Sequence, residues 1–189
     1  MSTLKVDNLL LQNNNTGTGR ILEVVSGVCD GRSITTLSGT YSLENVTAVQ
    51  LLTTTYTAVT GSSITYTPPE GTKTVIYEFW SQIGAEDGAD SICHSILYID
   101  DVEVVSSRHA PSAYRAMNQT FKWPIQCNAG AADTDVGSFT SWTSSKTLKI
   151  MARSYSTSYD QRYHNTRYWN GTGTTTQVTR PVLTITAIG

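Results

Sequence analysis

The chain has 189 residues, of which 15% are charged, and its formal net charge is −2. This length corresponds to one domain, or to one domain with an arm. A nearly neutral chain has no strong electrostatic attraction to nucleic acid or to an anionic membrane. We therefore expect no nucleic-acid partner and no insertion into a membrane.

Residues 1–20 are predicted to form an N-terminal arm. Its apolar residues could make one short strand or a packed turn, and a polar, Asn-rich connector follows them. No basic segment opens the chain and the longest apolar run of the arm is three leucines, so we expect no signal peptide and synthesis in a cytoplasm. The arm is a candidate anchor to a larger particle through its apolar residues, which are Leu4, Val6, Leu9, Leu10 and Leu11.

Residues 21–189 are predicted to form one all-β body. Short segments with alternating apolar and polar residues recur at the spacing of an antiparallel sandwich, and no long helical pattern is present. The predicted strands lie near residues 21–28, 47–52, 56–59, 63–67, 73–83, 92–105, 119–125, 148–155 and 178–188.

Two features specify how these strands connect. The residues from Pro68 to Gly71 predict a hard turn, and Asp100–Asp101 between two apolar runs predict a tight hairpin.

The last segment alternates Leu183, Ile185 and Ala187 with threonines almost to the end of the chain. This pattern predicts that the last strand is central in its sheet and buried on one face.

The sequence offers little catalytic chemistry. Cys29, Cys93 and Cys127 are odd in number and far apart, which predicts free, mostly buried thiols. His94 follows Cys93 in a predicted strand, so the two side chains point to opposite faces and cannot easily share a metal ion. No zinc-binding spacing and no nucleophile-elbow motif occurs. We expect a non-enzymatic protein without a metal or a cofactor.

The segment 155–171 is the candidate functional region. Tyrosine, tryptophan and arginine are crowded there in a chain otherwise rich in threonine and serine, and these three residue types are enriched at recognition surfaces. We predict that this segment forms a long exposed loop that binds a host or particle surface. A host glycan is one candidate ligand. Two alternatives are packing between subunits and covering the mouth of the sandwich. The candidate residues are Tyr159, Arg162, Tyr163, Arg167, Tyr168 and Trp169.

Four blocks carry a family resemblance. They are TYTPPEGTKTVIYEFWSQIG (65–84), SILYIDDVEV (95–104), SSKTLKIMARSY (144–155) and TRPVLTITAIG (179–189). Over about residues 60–189, the chain resembles the jelly-roll heads of phage fibre and virion surface proteins, which are similar to the trimeric heads of the tumour-necrosis-factor and complement class. The opening STLKVDNLLLQNNN resembles the leaders of tailed-phage structural proteins.

This resemblance implies a jelly-roll sandwich that assembles as a homotrimer. The trimer would be displayed on a virion as a fibre head or a capsid decoration, and it would bind other virion proteins of capsid or tail. Apolar side chains on the outer sheet of such a domain also favour a trimer, because three-fold closure buries them. We expect tyrosine and tryptophan at the three-fold contacts. The alternative is a free-standing carbohydrate-binding module.

Overall fold

The computed structural model describes residues 19–85, 90–114, 116–169 and 174–189. Almost all of its regular structure is β-strand, with one turn of 3-10 helix at Val105–Ser107. The strands are β1 (Ile21–Val28), β2 (Ser33–Thr35), β3 (Thr40–Ser42), β4 (Gln50–Leu51), β5 (Thr57–Ala58), β6 (Ile64–Tyr66), β7 (Thr74–Ala85), β8 (Asp90–Ile99), β9 (Val102–Glu103), β10 (Ser112–Tyr114), β11 (Ala116–Gln126), β12 (Lys146–Ser154), β13 (Gln161–Tyr163), β14 (Asn165–Trp169), β15 (Thr174–Val178) and β16 (Val182–Ile188).

Two antiparallel six-stranded sheets make up the body. In the first sheet β7 pairs with β11 along one edge, and with β16 and then β13 along the other, while β1 pairs with β16 and β4 with β13. In the second sheet β8 and β12 are the central pair, flanked by β9 and β10 on one side and by β5 and β6 on the other. The predicted all-β, antiparallel jelly-roll sandwich is confirmed.

The core lies between the two sheets. Every second residue of the long strands points inward, as the period of two in the sequence requires. Burial of these apolar side chains is the main stabilising contribution to the fold. Among the largest of them are Tyr77, Phe79, Ile83, Leu97, Leu148, Ile150, Leu183 and Ile185.

The last strand is central, as predicted. β16 lies between β1 and β7, and its residues Leu183, Ile185 and Ala187 have no exposed surface. Leu183 stands opposite Phe79, and Ile185 stands between Val25 and Tyr77. The strand therefore holds the first sheet together.

Both predicted turns are present. Asp100 and Asp101 have φ angles of 49° and 65°, the left-handed geometry of a two-residue hairpin turn between β8 and β9. At the other predicted turn, Thr72 donates its backbone N–H to the Pro69 carbonyl over 3.3 Å, and Gly71 has a φ of 85°. Glycine adopts this angle without a steric penalty.

The sandwich has two ends, which we name by one residue each. At the Gly189 end, where β7 begins, the backbone N–H of Gly19 donates to the Gly189 carbonyl over 2.6 Å. At the Tyr163 end, β13 pairs with the last residues of β7. The twelve residues of β7 separate the two ends by roughly 40 Å, at about 3.3 Å per residue.

The predicted arm lies outside the described residues except for Gly19 and Arg20, so its anchor residues Leu4, Val6 and Leu9 to Leu11 remain a prediction. Within the described part of the chain, no helix combines the length and the apolar character needed to cross a membrane.

Candidate functional site

The described part of the segment 155–171 contains two strands, β13 and β14, so the prediction of one long loop is wrong. Residues 156–160 are a turn, β13 then joins the first sheet, and β14 and β15 make an antiparallel hairpin. Polar residues at inward positions, such as Gln161, concealed the strand period in the sequence. Backbone pairing with β4 and β7 stabilises β13 in spite of its composition.

Tyr163 is a core residue and must be removed from the candidate surface set. Its side chain is only 1% exposed, and its hydroxyl lies 2.7 Å from Ser95 Oγ and 3.2 Å from Gln119 Oε1. A ring buried in this way cannot reach a ligand or a second subunit. His164, the next residue, is also fully buried and has a left-handed φ of 63°.

Tyr159 and Arg162 do come together, in a cleft at the Tyr163 end. The cleft has a volume of about 350 Å³ and lies between two segments, 51–54 before β5 and 156–162 before and within β13. Antiparallel pairing of β13 with β4 brings these segments together, with Arg162 opposite Leu51. We call this the Tyr159 cleft; it is lined by Leu51, Leu52, Thr53, Thr54, Ser156, Thr157, Tyr159, Asp160 and Arg162.

Charge and aromatic contacts fix the geometry of the Tyr159 cleft. Arg162 donates from Nε and Nη2 to the two carboxylate oxygens of Asp160, over 2.8 and 2.7 Å. The Tyr159 ring lies 6.1 Å from that of Tyr155, which is 60% exposed. Leu51 contributes an exposed apolar side chain. Aromatic, hydroxyl and guanidinium groups around one depression are suited to binding a polar ring compound or a protein loop.

The other three candidates belong to β14. The backbones of Arg167, Tyr168 and Trp169 pair with Thr176, Thr175 and Thr174 of β15. The positions of their side chains lie outside what the structure describes, so their part in recognition stays a prediction.

The sequence reasoning missed the other wall of the cleft, the segment 51–54. Leu51 and Leu52 were predicted to end a strand, and only Gln50–Leu51 is a strand in the structure. The apolar pair followed by three threonines was visible, but nothing local indicated that it would pair with β13, more than 100 residues later.

The three cysteines are free and buried, as predicted. Burial raises the pKa of Cys93 to about 11 and those of Cys29 and Cys127 to about 12. These thiols therefore stay protonated and unreactive at neutral pH. Among the described residues, no three His, Cys, Asp or Glu side chains are grouped so that they could hold a metal ion.

Comparison with known proteins gives limited matches. No protein-family model matches the chain, and no curated protein matches it. One similar solved structure is a chain of infectious bursal disease virus, Gt strain, at 12% identity and a TM-score of 0.43; another is from the Gx strain, at 9% and 0.41. Each match covers 91% of this chain and 34% of the viral chain, so this chain spans about a third of their length. A likeness of this degree assigns neither family nor function.

Proposed function

We propose that this chain is a non-enzymatic virion structural protein, a homotrimeric jelly roll that an N-terminal arm anchors to the particle and whose Tyr163 end faces outward. The observation that carries the proposal is the separation of the two ends. The chain enters the body beside Gly189, and the Tyr159 cleft lies at the opposite end of β7. An arm at one end and a recognition cleft at the other suit a displayed protein.

The outer face of the first sheet supports the trimer. Val24 is 45% exposed, and Ile76, Trp80 and Val182 on the neighbouring strands are half-buried. Register places Val182 beside Trp80, and places Val24 and Ile76 on either side of Thr186. Aliphatic residues with one tryptophan make up this apolar area. Closure about a three-fold axis would remove it from water.

Removal of residues 1–18 tests the anchor. This deletion keeps Gly19 and its hydrogen bond to Gly189, so the body should fold and keep its oligomeric state. We expect the truncated protein to be lost from particles purified from producing cells, and the triple variant Leu9→Ser, Leu10→Ser, Leu11→Ser to be depleted from them. Truncated protein that copurifies undiminished would contradict the anchor.

Val24→Glu tests the trimer, with Val102→Glu as a matched control. Both valines are about half exposed, but Val102 lies in β9 of the other sheet. A buried charge without a partner opposes association, so we expect light scattering to show a smaller mass for Val24→Glu alone. A monomeric wild-type protein at micromolar concentration would refute the trimer.

The Tyr159 cleft also fits a second candidate, a free-standing carbohydrate-binding module that is not part of a virion. Tyrosine and arginine at a cleft are suited to sugar recognition in either setting. Mass spectrometry of purified virions separates the two functions. Absence of the protein from particles would overturn the structural role and leave the binding module.

A further inference from the structure

A second cleft lies on the outer face of the second sheet. It has a volume of about 180 Å³, and its floor is Ile96 of β8, which is 2% exposed. The extended segment after the 3-10 helix forms one wall, held against β8 by two 2.8 Å hydrogen bonds between the backbones of Ser95 and His109. We call this the His94 cleft; its lining residues are Tyr56, His94, Ile96, Arg108, His109 and Ala110.

Arg153 of β12 stands beside this cleft and contacts two of its lining residues. Its guanidinium carbon lies 5.0 Å from the centre of the Tyr56 ring, a cation–π distance. Its Nη2 lies 3.4 Å from Nδ1 of His94. Because arginine can only donate, Nδ1 of His94 accepts in this contact, and Nε2 carries the hydrogen of the neutral ring. This contact orients the His94 ring so that its Nε2–H is available as a hydrogen-bond donor.

No carboxylate of the described residues neutralises the charge of Arg153. In the described ranges no Asp or Glu oxygen lies within 4.0 Å of it, whereas Arg32, Arg108 and Arg162 each have an acidic partner. The side chain is half-buried, and its Nε is buried without a hydrogen-bond partner. A guanidinium that is partly removed from water is stabilised by a nearby anion.

The remaining charges around the His94 cleft leave it cationic. Arg108 donates from Nε to Glu103 over 2.6 Å, but it is 61% exposed, so its terminal nitrogens remain available to a ligand. Lys149 pairs with Asp101 farther along the same face. Glu103 offsets Arg108 and Asp101 offsets Lys149, so among the described residues Arg153 adds an uncompensated positive charge.

We propose that the His94 cleft binds an acidic sugar residue. Its carboxylate would be held by Arg108 and by Nε2–H of His94, and its ring would rest against the edge of Tyr56 and Ala110, above the buried Ile96. Arg153 is a positioning residue, which orients His94 and adds positive charge behind it. A shallow cleft of about 180 Å³ admits one sugar unit, so we expect a dissociation constant on the order of 1 mM per site. This inference is independent of the arm and of the virion role.

NMR titration of the full chain with D-glucuronate, D-glucose and acetate tests the proposal. Glucuronate should shift the resonances of His94, Arg108 and Ile96 and bind more tightly than either comparison compound. Glucose lacks the carboxylate and acetate lacks the ring. Glucose binding as tight as glucuronate would overturn the anion site, and acetate binding as tight as glucuronate would overturn the sugar site.

Arg108→Gln is the main variant, because this exposed side chain can be replaced without disturbing the core. We expect glucuronate affinity to fall about tenfold or more, the loss expected for a charge-assisted hydrogen bond. Lys122→Gln is the control, since Lys122 is similarly exposed but pairs with Glu78 on the first sheet. Unchanged affinity in Arg108→Gln, or an equal loss in Lys122→Gln, would refute the site.

Arg153→Gln tests the positioning role. In this variant the ring nitrogens of His94 should lose the signature of an Nδ1 acceptor in histidine-selective NMR spectra, and affinity for glucuronate should fall. A melting curve like that of the wild type shows that the variant is folded. If the His94 tautomer and the affinity are both unchanged, Arg153 has no part in the site.

Discussion

Buried polar side chains near the two ends of the sandwich differ in how many of their polar atoms have hydrogen-bond partners. Near the Gly189 end, the carboxylate of Glu23 accepts hydrogen bonds from Ser38 N, Ser38 Oγ and Tyr66 OH, over 2.9, 2.6 and 2.9 Å. Near the Tyr163 end, Gln161 and His164 are fully buried, and neither side chain has a hydrogen-bond partner within the described part of the chain. Both carboxylate oxygens of Glu23 therefore have partners, whereas the polar side-chain atoms of Gln161 and His164 have none among the described residues.

The pKa values reflect this difference. Burial by itself would raise the pKa of Glu23, but the hydrogen bonds from Ser38 and Tyr66 together lower it. Burial lowers the pKa of His164 to about 4, and the backbone of Thr60 opposes this shift to a smaller extent, without the geometry of a full hydrogen bond. Glu23 is therefore stabilised in its charged form, and His164 is held neutral.

Satisfied buried groups fix a fold, whereas unsatisfied ones reduce stability without specifying structure. The Gly189 end is thus built for rigidity where the chain enters the body. The Tyr163 end carries the Tyr159 cleft beside a core that is not optimised for stability. A cost of this kind is typical of regions kept for binding.

The largest expected effect comes from Leu183→Asp, which should unfold the whole sandwich, including both of its ends. β16 borders β7 and β1, so an unpaired charge at this fully buried position should cost at least about 4 kcal/mol and prevent folding. Soluble yield and circular dichroism measure this loss. Thr184→Asp, one residue along and half-buried on the outer face, should still fold. A soluble, unchanged Leu183→Asp protein would contradict the assigned strand.

Acidification should act first on the Tyr163 end. The folded-state pKa of His164 is about 4 and its ordinary value is 6.5, so between these pH values the unfolded chain binds a proton that the folded chain does not. Stability is therefore full above pH 6.5 and falls as the pH drops, by about 3 kcal/mol once pH 4 is reached.

His164→Asn isolates this loss in urea unfolding at several pH values. Asparagine tolerates the left-handed φ of 63° and does not titrate. The variant should lose about 3 kcal/mol less than the wild type between pH 6.5 and pH 4. Parallel pH profiles would show that His164 is not held neutral in the folded protein.

Glu23→Gln should weaken the Gly189 end by about 2 kcal/mol, since an amide accepts less strongly than a carboxylate from Ser38 and Tyr66. Because the folded pKa of Glu23 lies below its ordinary 4.5, its contribution is present above that pH and is lost as the pH falls through the folded value. Thermal melting measures the effect. Glu70→Gln, on an exposed turn, should leave the melting temperature unchanged; equal shifts in both variants would refute the network.

Much of the sandwich could be read from the sequence because its long strands have a clear period of two. β1 has its predicted bounds, Asp100–Asp101 form the predicted turn, and β16 is central. These features depend on local patterns that a single segment reveals.

The Tyr159 cleft could not be predicted in the same way. β13 is three residues long, and its buried positions include a glutamine, so composition indicated a loop. Its register with β4 depends on contacts between distant segments. The sequence analysis also missed the hairpin of β2 and β3, because strands of three residues show no clear period.

The smallest expected effect distinguishes Gln161, which has no side-chain hydrogen bond among the described residues, from Gln119, which has one through Oε1. Gln161→Met removes two polar atoms that have no partner among the described residues, and a methionine fills a similar volume, so stability should be unchanged or rise by up to about 1 kcal/mol. Gln119→Met is the matched control. Gln119 Oε1 accepts from the Tyr163 hydroxyl over 3.2 Å, so its loss should cost about 1 kcal/mol in urea unfolding. If Gln161→Met were as costly as Gln119→Met, Gln161 would have a polar partner in solution, and the contrast between the two ends would disappear.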